Sequence, residues 1–172
     1  MLSKLNNLIK SFEKFSLSYG VISLAVITVG NVISRRAFNC SWSFAEEVSQ
    51  FILVLITFMG ISYAARKGRH IRMSAVHDLM SEKIQKILIL IVSSVTTLVL
   101  FYLAYYAALF VLQVKGFGRV TPALMVPFYL VIIWVPIGLF LGGIQYLLTF
   151  IKNITHKEVW LSFEEKSEYQ EF

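Results

Sequence analysis

Four long runs without a charged residue constrain this chain more than any other feature. They are Phe15 to Ser34, Val48 to Ala65, Ile87 to Val114 and Val120 to Ile151, each closed off at both ends by Lys, Arg or Glu. A helix needs about 20 apolar residues to cross the hydrocarbon core of a bilayer, and each run meets or nearly meets that length. Of the 172 residues, 57% are hydrophobic and 15% charged, whereas a soluble domain carries about 25% charged residues. Such a chain cannot wet a surface in water. The sequence predicts an all-α integral membrane protein. Its four transmembrane helices span about 15–34, 46–65, 87–112 and 127–151, within one domain over residues 15–155. The first run is longer than the apolar core of a signal peptide and ends in Ser34-Arg35-Arg36 without a small-x-small cleavage site, so it reads as a retained anchor.

Lys and Arg set the orientation, because cytoplasmic loops are enriched in them. Lys4, Lys10 and Lys14 precede the first span. Arg66, Lys67, Arg69, Arg72, Lys83 and Lys86 lie between spans two and three, and Lys152, Lys157 and Lys166 follow span four. The other side holds only Arg35, Arg36, Lys115 and Arg119. The expected topology places both ends in the cytoplasm. The net charge of +6 has the same origin and does not point to nucleic acid.

Two flanking segments read as interfacial. In residues 1–14, Leu2, Leu5, Leu8, Ile9 and Phe12 recur at helical spacing opposite Lys4, Lys10 and Lys14, the pattern of an amphipathic helix lying in the membrane surface. Met73, Val76, Leu79, Met80 and Ile84 repeat it after span two. Residues 156–172 form an acidic cytoplasmic tail with Glu164, Glu165, Glu168 and Glu171. Trp42 and Trp160 sit where aromatic membrane anchors belong.

The opening of span two is the richest site. Ser43 and Glu46 have capping-box spacing, and both Glu46 and Glu47 lie at the positive end of the helix dipole. Capping accounts for Glu46 and leaves Glu47 to be explained. Gln50, Thr57, Gly60 and Ala64 continue along that side, and small or polar residues on one stripe suit close helix packing in lipid. Span four carries Gly138 and Gly142 at GxxxG spacing, and Pro136, which should kink it.

The four charge-free runs also contain no His. The histidines His70, His77 and His156 fall outside them, which disfavours a four-helix membrane haem protein. A small self-contained proton-coupled exporter would need Glu46 or Glu47 as carrier, and both stand at a span edge. One cysteine, Cys40, excludes an internal disulfide. No nucleophile–base pair or metal cluster appears, so no enzyme and no cofactor in this chain is expected.

Glu46-Glu47, Phe51, Gly60 and the run Ala64-Ala65-Arg66-Lys67-Gly68-Arg69-His70-Ile71-Arg72-Met73 resemble the small membrane (Q-type) subunit of tripartite ATP-independent periplasmic (TRAP) transporters. Pro122, Pro127, Pro136 and Gly138 resemble that family's last span. The resemblance covers roughly residues 15 to 155. It implies a scaffold subunit, a large elevator-type membrane subunit that holds the sodium sites, and a periplasmic binding protein. The imported solute would be an organic acid anion, sialic acid or a C4-dicarboxylate. On that view Glu46, Glu47, Gln50, Thr57, Gly60 and Ala64 are candidate contacts with the large subunit. Arg66, Lys67, Arg69, His70 and Arg72 form a basic cytoplasmic turn. Arg35, Arg36, Lys115 and Arg119 are candidates for docking the binding protein.

Orientation is directly testable. A cysteine introduced at Gly116 should react with an impermeant thiol reagent applied from the periplasm, and one at Ser74 should not. The reverse labelling pattern would overturn the topology.

Overall fold

The computed structural model describes residues 2–67, 82–156, 160 and 162. The described chain is helical. Helix α1 spans Leu2–Phe38, α2 Ala45–Arg66, α3 Glu82–Gly116, α4 Tyr129–Ile132 and α5 Trp134–Thr155. Four segments are long and apolar enough to cross a membrane: Lys10–Phe38, Ala45–Arg66, Lys83–Gly116 and Tyr129–Thr155.

Two differences from the sequence-based boundaries have physical causes. No break separates an interfacial helix at 1–14 from the first span, because α1 runs unbroken from Leu2 to Phe38. Nothing between Lys10 and Phe15 interrupts a helix: there is no Gly or Pro. The fourth span is divided. Helix α4 stops at Ile132, Ile133 forms a turn, and α5 begins at Trp134. Pro136 sits in the first turn of α5, where a missing N–H is tolerated. The carbonyl that it cannot bond is that of Ile132, and there the first helix ends.

The described residues fall into two compact groups, those within 2–60 and 105–137, and those within 61–67, 82–104 and 138–156 together with 160 and 162. In the first, Gly20 of α1 lies so close to Ile56 of α2 that a methyl group there would collide with its Cγ2. Gly60 faces Leu17, with 3.7 Å of ordinary contact left for an added Cβ. In the second, Gly142 of α5 leaves only 3.1 Å between an added Cβ and Ile61 of α2, and Gly143 only 3.0 Å from the Phe101 ring of α3. Lipid supplies no hydrophobic drive between helices, so close backbone approach at small residues carries the packing.

Replacing Gly143 with Leu should destabilise the chain by about 1–3 kcal/mol through overpacking. Gly60→Ala should be close to neutral. Thermal unfolding of both variants in detergent checks the contrast.

Candidate partner-binding site

The link between α1 and α2 is tightly fixed. The Trp42 N–H donates to Asn31 Oδ1 (2.9 Å), and the Ser34 hydroxyl donates to the Cys40 carbonyl (2.9 Å). Asn39 closes α1 in the left-handed region at φ 50°, a helix-ending conformation that Asn tolerates. The half-buried Trp42 ring lies over Gly30, where an added Cβ would come within 3.0 Å of it. The same ring stacks on Phe44 with centroids 6.0 Å apart. Trp42 is thus packed against its own chain.

Glu47 takes a role that its sequence position does not announce. The Val48 amide donates to the Phe44 carbonyl (3.0 Å), which makes Phe44 the N-cap of α2 instead of Ser43. The expected capping box is out of register by one residue, and the structure records no hydrogen bond between Ser43 and Glu46. Glu47 occupies the third helical position and turns inward. Its Oε1 accepts the Ala123 N–H at 2.6 Å and its Oε2 the Leu124 N–H at 2.9 Å. Those amides belong to a tight return between α3 and α4. Thr121 and Val126 close it, with Thr121 N–H donating to the Val126 carbonyl (2.9 Å) and Val126 N–H to Thr121 Oγ1 (3.2 Å). Val120 and Pro127 pair across its base. Met125, at its tip, has φ 53° and is 69% exposed.

The stripe on α2 separates into two sets. Glu47 is buried and Gly60 faces Leu17, so both make contacts within the chain. Ala64 is half-buried. Glu46, Gln50 and Thr57 are exposed, together with Leu53. Their spacing of four, three and four residues puts them on one helix face.

The expected basic turn is only partly described. Arg66 is fully buried and Lys67 is half-buried. Arg69, His70 and Arg72 lie outside the described residues. Trp160, expected as a lipid anchor, is held by its own chain. The Asn153 amide donates to the Trp160 carbonyl (2.8 Å) and accepts its N–H (3.0 Å), and Lys152 Nζ lies 3.3 Å from the ring centroid. Sequence reading missed Glu13 as well: it is fully buried within the apolar stretch of α1. Among the described residues no three His, Cys, Asp or Glu side chains are placed to hold a metal ion.

Residues 24–156 match the family model of the DctQ component of tripartite ATP-independent periplasmic transporters. The chain belongs to this family. It is 44% identical over 162 residues to the ectoine TRAP transporter small permease protein TeaB of Halomonas elongata, covering 94% of this chain and 84% of that one. A shorter stretch of 69 residues is 32% identical to the sialic acid TRAP transporter permease protein SiaT of Haemophilus influenzae, covering 39% of this chain and 11% of that protein. The protein is therefore a small permease subunit of a TRAP transporter and not an enzyme. With its four apolar helices it is a multi-pass protein of the bacterial inner membrane.

Removing the Glu47 carboxylate should loosen the return at 121–126. In Glu47→Ala, hydrogen exchange of the Ala123 and Leu124 amides should speed up by about tenfold or more, since each loses a charged acceptor. Glu46→Ala should leave those amides unchanged.

Proposed function

We propose that this TRAP small subunit is the scaffold of a sodium-coupled, binding-protein-dependent importer. It packs against the large membrane subunit through the exposed face of α2. The observation that carries this reading is the polarity of that face. Glu46, Gln50 and Thr57 are exposed on a helix apolar enough to cross a membrane. Lipid offers no hydrogen bonds, and an uncompensated amide in hydrocarbon costs several kcal/mol. A second protein surface that hydrogen-bonds Gln50 and Thr57 removes that cost. The twelve-to-four distribution of Lys and Arg supports an N-in/C-in orientation, in which the Glu47-bound return faces the periplasm. Its exposed apolar residues Val120, Leu124 and Met125, beside Arg119 and Lys115, suit contact with the binding protein. Arg35 and Arg36, expected to share that role, line a cleft at the end of α1.

Sodium is assigned to the large subunit. Ectoine is the solute that the longer match supports. Sialic acid rests on the 69-residue match, and a C4-dicarboxylate on the family resemblance alone.

Gln50→Leu combined with Thr57→Leu should reduce recovery of the large subunit on a tagged small subunit by at least about fivefold, a loss of roughly 1 kcal/mol. Full recovery would remove the α2 interface. The reconstituted complex with its binding protein should accumulate ectoine only under an inward sodium gradient. Accumulation by the small subunit alone in liposomes would overturn the scaffold reading.

A further inference from the structure

An open cleft of about 690 Å³ lies at the end of α1, lined by Val32, Arg35, Arg36 and Asn39. We propose that it is a binding site for the phosphate of an anionic phospholipid. Four features argue for this. The apolar stretch of α1, Lys10–Phe38, has 29 residues. At 1.5 Å per residue it is about 43 Å long, the thickness of a bilayer with its headgroup layers. Its last turn therefore stands at headgroup level.

Neither Arg35 nor Arg36 makes a hydrogen bond or ion pair among the described residues. Both arginines line the one cleft, and guanidinium groups bind the oxygens of a phosphodiester in forked, charge-assisted pairs. The negative end of the helix dipole opposes an anion here, but it amounts to about half a charge, against two full positive charges.

The cleft is also preformed. Asn39 is set at φ 50°, Ser34 ties the Cys40 carbonyl, and Asn31 ties the Trp42 amide, so little ordering is needed on binding. Finally, the wall turns apolar towards the bilayer centre. Val32, Val29 and Val26 are each more than half exposed along α1, a track for the acyl chain of the lipid whose phosphate the arginines hold. A soluble phosphate would leave that track unused.

The test is native mass spectrometry of the purified transporter in nanodiscs of phosphatidylglycerol mixed with phosphatidylcholine. The wild-type protein should retain phosphatidylglycerol preferentially. The double variant Arg35→Gln, Arg36→Gln should lose that preference about tenfold, the value of one lost charged hydrogen-bond pair. Arg35→Lys with Arg36→Lys keeps the charge but not the fork, and should fall between the two. Lys14→Gln with Lys83→Gln removes the same net charge elsewhere and should retain the lipid. Millimolar inorganic phosphate should not displace it. Unchanged phosphatidylglycerol retention in the Arg-to-Gln variant overturns the site. Displacement by inorganic phosphate overturns the lipid as its occupant.

Discussion

A peptide chain that turns at the edge of a bilayer must find acceptors for its amides without a helix to supply them. In the return between α3 and α4 that requirement is met by one carboxylate. Two successive N–H groups, of Ala123 and Leu124, point the same way and form a small anion-binding concavity, and Glu47 fills it with one oxygen for each. The carboxylate starts from the first turn of α2, where the helix dipole also favours it. The return and the start of α2 are therefore fixed to one another. A positive φ at Met125 is tolerable because the surrounding hydrogen bonds leave the turn no easier conformation.

Exposure has an inverted meaning in such a chain. On a water-soluble protein the more-than-half-exposed Ile22, Val26, Val29 and Ile33 of α1 would mark a sticky surface. In a bilayer they face a solvent as apolar as themselves. The informative exposure is polar, and on α2 it is confined to one side: Glu46, Gln50 and Thr57. Glu47, one residue from Glu46 and so about 100° round the helix, is consumed inside the chain. Adjacent glutamates thus divide into one that shapes the subunit and one left at its surface.

The four spans were legible because their signal is local and additive: about twenty residues without charge leave few alternatives. Pro136 announced a kink in the fourth span, and the structure turns it into a break at Ile133, since a missing N–H acts on a carbonyl four residues away. The role of Glu47 was not. Its partners lie 76 and 77 residues on and are backbone amides, which carry no side-chain signature. A carboxylate bound to the main chain looks the same in sequence as one capping its own helix, and so the capping box was read one residue out of register. Burial of Glu13 and Arg66 was invisible for a related reason. Charged residues next to an apolar run end that run in any sequence-based count, although the helix continues through them. Trp160 illustrates a third limit. An aromatic residue just beyond a span suits lipid equally well, and only the Asn153 clamp reveals that it is held by protein.

The buried polar side chains bear on mechanism. A proton or ion path needs groups that hand charge from one element to the next. Here Ser93 donates to the Ile89 carbonyl (2.6 Å), Thr97 to that of Ser93 (2.7 Å), Thr149 to that of Gln145 (2.9 Å) and Asn153 to that of Thr149 (2.9 Å). Each bond returns to the carbonyl four residues earlier in its own helix. Such pairs satisfy a hydroxyl or amide where water is scarce. They let small polar residues stand at buried positions without the cost of an unmet hydrogen bond. That chemistry suits a subunit whose task is to hold a shape in lipid.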